Sequence, residues 1–563
     1  MKTIKKYLLV LAIIGITSCG EDFLDEKVLD SLTTSNAFST KADFTASIND
    51  LYALVRLEFY TRNDNDPMLW LYRSDIVFQI ANATADINAD LVPTGGVPNQ
   101  KWNNLYKIVA EANTVISRLP DADFADAEKV SFEAQAKFFR AFAYRALGYL
   151  FGGVPLVTEE VATEKVDFVR ASRDEVYDLA ISDLTFAAQN LPDVMDVLDG
   201  QLTKLAAQHL LSEVYLAKGE FQNAVDAATA VIDDPNTNLM TARFGTRTDV
   251  TPADVYWDLF QQNNQNRKSA GNTEGIWVIQ IETDKIGGSA VSNAQTDSYL
   301  LERVHPPLFR DFRVDGVSPF AWPAGDYTGG RGVGFMAPNV YFINGWDDPD
   351  NDIRNANHNF VRKIPSNNPA SPFFGQEIDF ANLPAGSTGI GPAIQSGVPN
   401  RAFYPYQSKS TQPFNHPAAL YIPSSPIPYF LSGSAGGTYT DQYMFRLAET
   451  YLLRAEAYLG LGNTALAADD INVVRARSNA APIAAGNVDI DYILDERMRE
   501  FGVEEKRILT LMRTGKFYDR LKMCDPNYYG LTVQPFHNLW PIPQSEIDRN
   551  RGAVLEQNPG YTN

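Results

Sequence analysis

Cysteine is close to absent from this chain, which has two in 563 residues, Cys19 and Cys524. With Cys19 engaged at the N-terminus, Cys524 has no intrachain partner and a disulfide framework is excluded. Histidine is scarce as well. The five residues His209, His305, His358, His416 and His537 are scattered, with no His-Glu-x-x-His and no close pair, which argues against a zinc site. Positive charge is in deficit: 48 Lys and Arg stand against 69 Asp and Glu, a net charge of −21. So acidic a surface repels phosphate backbones and anionic lipid heads, and it argues for no nucleic-acid partner and toward a neutral ligand. Outside the first 16 residues no apolar run approaches the roughly 20 needed to cross a bilayer as a helix.

The exception at the start is informative. Lys2, Lys5 and Lys6 precede an apolar run from Tyr7 to Ile16, and Thr17 and Ser18 lead to Cys19. Charge, apolar core and small residues in that order make a secretory signal over residues 1–18. Apolar, small, small, Cys resembles a bacterial lipobox, which makes Cys19 the expected lipidation site. Several acyl chains, at about 0.8 kcal/mol per buried methylene, hold a body of about 545 residues to a membrane. Removing the three leader lysines brings the net charge from −21 to −24.

The body has two textures. From about Asn36 to Asp233 the apolar period is helical: Trp102, Leu105, Val109, Ala112 and Ile116 fall on one face, and Ser172 and Glu175 have capping-box spacing. Between Arg303 and Phe430 lie 18 of the 32 prolines, with glycines and aromatics among them, which predicts short helices and long loops. Helical texture resumes near Asp441 and runs to about Phe517, before a Pro-rich tail. "EVYLAKGEFQNAVDAA" from Glu213 and "EAYLGLGNTALAADDI" from Glu456 share Glu-x-Tyr-Leu-x-x-Gly, with Ala224 and Ala467 nine residues after the tyrosines. Such units match a tetratricopeptide-like helix pair. The predicted fold is therefore mainly α, a tetratricopeptide-like helical-hairpin scaffold with a large irregular insertion bearing the ligand site. Stacked units bury a shared face, so the parts before residue 235 and after residue 440 are expected to form one scaffold.

Enzymatic motifs are missing. "GGRGVG" from Gly329 lacks the Lys-Ser/Thr ending of a phosphate loop and reads as a flexible loop, and no Gly-x-Ser-x-Gly elbow occurs. "DDPDND" spaces Asp348, Asp350 and Asp352 like the start of a calcium loop, but Ile353 and Asn359 stand where glycine and glutamate belong. Calcium is the one cofactor with any candidate. No pair of carboxylates can be singled out for glycoside hydrolysis, and no catalytic residue is assigned.

A pyranose offers a flat face of C–H groups and a rim of hydroxyls, so a site for it needs aromatic platforms beside Asn, Asp, Arg or Gln. Trp102, Trp257, Trp277 and Trp540 lie in apolar or structural segments and read as core. Trp70, Trp322 and Trp346 lie in Pro-, Gly-, Asn- and Asp-rich stretches, where an aromatic either binds something or plugs its loop onto the scaffold. At least one of the three is expected to be a platform.

Several longer strings carry a resemblance: "CGEDFLD" after the leader, "FEAQAKFFRAFAYRALGYLFGGVPLV" from Phe132, "FRLAETYLLRAEAYLGLGNTALAADDINVVRARS" from Phe445, "ILDERMREFGVEEKRILTLMRTGKF" from Ile493, and "NLWPIPQSEIDRN" with "LEQNPGY" near the end. In these the chain resembles the SusD/RagB family of outer-membrane nutrient-binding lipoproteins, partners of SusC-like TonB-dependent transporters. It departs at Glu505-Lys506, where the family usually has Glu-Gly. The resemblance implies a 19–300 region with tetratricopeptide-like helix pairs and a 301–563 region divided into a loop-rich insertion (301–435), a helical part (436–520) and the tail (521–563). It implies an outer-membrane, lipid-anchored protein facing the cell exterior, with Glu21 and Asp22 resembling an export signal. Family glycan contacts come from regions matching Arg62 to Asn99 and Ser289 to Trp346. The residues expected to bind ligand are Trp70, Tyr72, Arg73 and Asp75 from the first region and Trp322, Tyr327, Asn344 and Trp346 from the second. The implied function is non-enzymatic capture of an oligosaccharide or polysaccharide and its delivery to the transporter. Capture of peptides, a lipid-anchored glycoside hydrolase and a purely protein-binding scaffold are the alternatives.

Overall fold

Residues 38, 40–60, 70–79, 86–292, 298–322, 324–325, 329–391 and 400–562 are described by the computed structural model. Cys19 and Tyr327 lie outside the described residues. Apolar residues at helical spacing give six long helices in the first part: α1 (Lys41–Phe59), α2 (Gly96–Arg118), α3 (Asp126–Phe151), α4 (Arg173–Asn190), α5 (Lys204–Lys218) and α6 (Phe221–Ile232). The capping box at α4 forms as its spacing predicts, with Glu175 accepting from the Ser172 N–H at 2.7 Å and Ser172 Oγ accepting in return at 3.2 Å.

Every residue of α3 from Phe138 to Phe151 is buried. A helix apolar all round belongs at the centre of a bundle, and α2 and α4 pack on either side of this one. Its two arginines survive burial because each meets an acid: Arg140 is bidentate to Asp183 at 2.7 and 2.8 Å, and Arg145 reaches Glu213 at 3.0 Å.

The chain returns to the scaffold through a strand. Two antiparallel strands, β2 (Gly275–Ile279) and β6 (Gln442–Arg446), pair with Ile279 opposite Gln442 and Trp277 opposite Phe445. The helical texture expected from Asp441 therefore begins only after Arg446, because residues 442–446 spend their backbone hydrogen bonds on β2. Beyond it come α7 (Leu447–Gly460), α8 (Thr464–Arg477), α9 (Ile490–Glu500), α10 (Arg507–Arg513) and α11 (Phe517–Cys524).

The two repeated sequence units are helical hairpins, α5–α6 and α7–α8, and α6 packs directly on α7. Leu216, Ala224, Val225, Leu453 and Ala457 share one apolar cluster, against which both repeat tyrosines, Tyr215 and Tyr458, pack. Gly219 turns the first hairpin with φ 78° and Gly462 the second with φ 75°, the left-handed region that disfavours side chains. The repeat glutamates also match in role: Glu213 takes Arg145, and Glu456 takes Arg513 at 2.6 and 2.7 Å. The first and last parts of the chain are thus one stack of helices.

Among its described residues the intervening region contains only short helices and strands, as its proline content predicts. A buried charge network clamps it to the scaffold. Arg446 binds Glu274, Glu500 and Glu504, Arg477 binds Glu274 and Glu500, and Arg354 from the irregular region binds Asp352, Glu496 and Glu500. Burial alone would raise the Glu496 carboxyl, but Arg354, Arg499 and Arg475 outweigh it and pull it down to about 2.

Candidate functional site

The four residues expected from the first loop are buried. Trp70 is 1% exposed, stacks on Phe59 at 4.8 Å, carries the Lys101 ammonium 3.9 Å over its ring and donates through Nε1 to the Glu58 carbonyl. Its face is filled by protein and offers no platform. Tyr72 lies under the Arg73 guanidinium, and Arg73 pairs with Asp90 at 2.6 Å. Asp75 is fully buried and accepts from Arg507 at 2.7 Å and Arg520 at 2.8 Å, so it ties the loop to α10 and α11. Those arginines hold its carboxyl below the usual carboxylate range against the opposing effect of burial.

The structure does bring the first loop to part of the second region, but as an internal joint. Strand β1 (Val77–Gln79) pairs antiparallel with β4 (Met336–Pro338), and the Asn339 side chain donates to the Asp75 carbonyl at 2.7 Å. Trp346, a few residues on, is 7% exposed and packs edge-on against Phe360 at 5.6 Å. It too is a plug. Asn344 is exposed at the end of the short helix Val340–Asn344.

The acids of the calcium-like loop have different surroundings. Asp352 is taken up by Arg354, Asp348 accepts from the Ala481 N–H at 2.8 Å, and Asp350 is exposed. Among the described residues, no group of three or more His, Cys, Asp or Glu could hold a metal ion.

Trp322 is different. It is 36% exposed, and it immediately precedes a two-stranded ribbon in which β3 (Ala324–Gly325) pairs with β5 (Phe430–Leu431). At the start of β5 stands Tyr429, 53% exposed, edge-on to Phe414 at 5.0 Å, itself 47% exposed. Tyr421 adds a third ring 6.1 Å from Tyr429 and bridges to Leu431. Phe414 and Tyr429 have φ of 60° and 52°. A bulky side chain in the left-handed region carries about 1–3 kcal/mol of backbone strain. Both rings remain about half exposed to water despite that strain.

Polar groups adjoin these rings. Asn415, next to Phe414, donates to Gln262 at 3.0 Å, and Gln262 borders a pocket of about 360 Å³ with Asn263, Asn266, Gln280, Tyr439 and Asp441. Burial raises the Asp441 carboxyl to about 6, with the Ile281 N–H and the Asn266 amide pulling the other way. Exposed rings beside amides and a carboxylate can stack on a sugar face and bond its hydroxyls. A second groove, about 480 Å³, runs along α2 past Tyr106, Asn113 and Val157. There Tyr106 donates to the Pro155 carbonyl and Asn113 to the Val157 carbonyl, while Asn103 and Glu159 on its lining are exposed.

Phe414, Tyr421 and Tyr429 were not singled out from the sequence. The cue used for the tryptophans points to them as well, because "TQPFNHP", "HPAALYIP" and "SSPIPYF" are Pro-containing stretches carrying aromatics.

Residues 392–561 match the model of the SusD family, and residues 22–216 match a family described as starch-binding associating with outer membrane. The chain is 24% identical over 588 residues to SusD-like protein P2 of Formosa agariphila, covering 99% of this chain and 100% of that one. It is 38% identical to the starch-binding protein SusD of Bacteroides thetaiotaomicron over 125 residues, 22% of each chain. Solved structures of the same fold include a laminarin binding SusD-like protein, with TM-score 0.66, 22% identity and coverage of 93% of this chain and 100% of that chain. Another is surface glycan-binding protein A from Bacteroides thetaiotaomicron in complex with laminarihexaose, with TM-score 0.66, 19% identity and coverage of 92% and 100%.

Proposed function

Because the chain belongs to the SusD/RagB family, we propose that it is a surface glycan-binding protein that captures oligosaccharide or polysaccharide without cleaving it. The observation that carries the reading is the exposed Phe414–Tyr429 pair, held out by strained backbone beside an amide-lined pocket. Relatives named for laminarin and starch binding support a sugar as the ligand class.

Two further parts of the proposal come from the leader and the fold. Acylation of Cys19 tethers the protein to the outer membrane, with the body facing the exterior. A SusC-like TonB-dependent transporter receives the glycan, and ligand held between the two proteins gains effective concentration over the isolated site. The proposed site needs no cofactor, since its recognition groups are rings, amides and a carboxylate.

Native affinity electrophoresis of the protein starting after Cys19, across a panel of polysaccharides with a reducing-end assay on the same mixtures, tests the reading. Retardation by a polymer without new reducing ends is expected. No retardation by any polymer contradicts glycan capture and favours the peptide-binding or scaffold alternatives, while new reducing ends contradict the non-enzymatic part.

A further inference from the structure

We infer that the face beside Trp322 recognises an anionic group on the glycan, a sulfate ester or a uronate carboxylate, through the guanidinium groups of Arg310 and Arg401. The inference rests on the glycan-binding reading above and narrows its ligand class.

The observation is a concentration of arginine on aromatic rings in a chain of net charge −21. The Arg310 guanidinium lies 4.4 Å from the centroid of the Trp322 ring and that of Arg331 5.2 Å from it. Close by, Phe335 has Arg401 at 5.6 Å and Arg303 at 6.0 Å. The segment between the two rings joins them. Val333 donates its N–H to the Arg303 carbonyl at 2.8 Å, and Gly334 lies against the Cβ of Arg401. Gly330 makes the approach possible, because a Cβ there would fall 2.4 Å from a Glu302 carboxylate oxygen. The turn expected to be flexible is packed at that point, and it sets Arg331 beside Trp322.

Among the described residues, acids leave the charge of Arg310 and Arg401 largely uncompensated. Asp311 meets Arg310 at 3.5 Å, with both side chains about half exposed, an arrangement that solvent weakens. Glu302 is fully buried, with one carboxylate oxygen meeting His416 at 2.7 Å and the other accepting from the Arg331 N–H at 3.4 Å. Among the described residues the Arg401 guanidinium has no hydrogen-bond or ion-pair partner, only the Phe335 ring.

The chemistry follows from the guanidinium. Its flat face rests on an aromatic ring and its N–H groups project in the plane, a fork that matches the paired oxygens of a carboxylate or sulfate. With Arg310 and Arg331 over its ring, Trp322 is less suited to stack on a pyranose than to orient these cations. Net charge does not oppose the assignment at this range, since at physiological salt charges more than about 8 Å apart are largely screened. The neutral ligand favoured by overall composition gives way here to the local field.

Laminarin, chemically sulfated laminarin and polygalacturonate are the probes, titrated calorimetrically into the protein starting after Cys19. An acidic polymer is expected to bind at least about tenfold more tightly than neutral laminarin and to weaken as NaCl rises from about 0.05 M to about 0.5 M. Preference for the sulfated polymer or for polygalacturonate tells sulfate from carboxylate. Arg310→Gln and Arg401→Gln are each expected to weaken acidic-polymer binding about tenfold, the loss of one charge-assisted contact, with unchanged circular dichroism. Arg549→Gln, an exposed arginine on the last helical turn, is expected to change nothing. Neutral laminarin bound as tightly as both acidic polymers, or acidic binding indifferent to the two substitutions, overturns the inference and leaves glycan capture standing. Binding of none of the three overturns both.

Discussion

Trp70 and Trp322 occupy similar stretches of sequence, rich in Pro, Gly and Asp, and they end in opposite environments. Phe59 and Lys101 close over Trp70, from 11 residues before it and 31 after, whereas Trp322 remains 36% exposed with Arg310 and Arg331 at its ring. That difference is set by what packs from elsewhere in the chain, and no local pattern carries it. Trp70→Ala is expected to lose about 3–5 kcal/mol of unfolding free energy through the cavity it leaves. Trp322→Ala is expected to leave stability nearly unchanged, and urea denaturation of the two variants checks both outcomes. The left-handed backbone at Phe414 and Tyr429 was equally out of reach from sequence, because neither residue type favours that region.

The helical hairpins were the most legible elements. A repeated Glu-x-Tyr-Leu-x-x-Gly, a 3.6-residue apolar period and a capping box all act over one or two turns, so the chain declares them locally. The strand β6 was not, since "QYMFR" becomes extended only by pairing with β2 more than 160 residues earlier. Two predictions belong at this scale. Gly219→Ala forces a Cβ into the left-handed turn between α5 and α6, which costs about 1–2 kcal/mol, measurable by chemical denaturation. The loop around Asp348, Asp350 and Asp352 is held by Arg354 and the Ala481 N–H without an ion, so EDTA is expected to change neither the melting temperature nor glycan binding.

Across the whole molecule, the irregular region and the helical stack are joined by buried acids whose carboxyls sit below their usual range. Glu496, at about 2, is accompanied by Asp75, Glu449 and Glu500, each shifted down by arginines against the effect of burial. A depressed folded-state value stabilises the fold above the unfolded-state value and is lost as pH falls through the folded one. Stability is therefore expected to hold down to about pH 4.5 and to fall steeply from there toward pH 2, with several protons taken up per molecule unfolded. Thermal unfolding across that range measures it. A flat profile would contradict the role given to the charge clamp.

At this scale the central question is where the glycan sits. The most direct measurement is the affinity of the wild-type protein and of the Phe414→Ala/Tyr429→Ala double variant for whichever polysaccharide retards it, with melting temperatures taken on the same samples. The account predicts a loss of about tenfold or more for the double variant at unchanged melting temperature, since both rings are about half exposed and contribute little to the core. Unchanged affinity in a folded double variant would place the glycan elsewhere and contradict the assignment of this face.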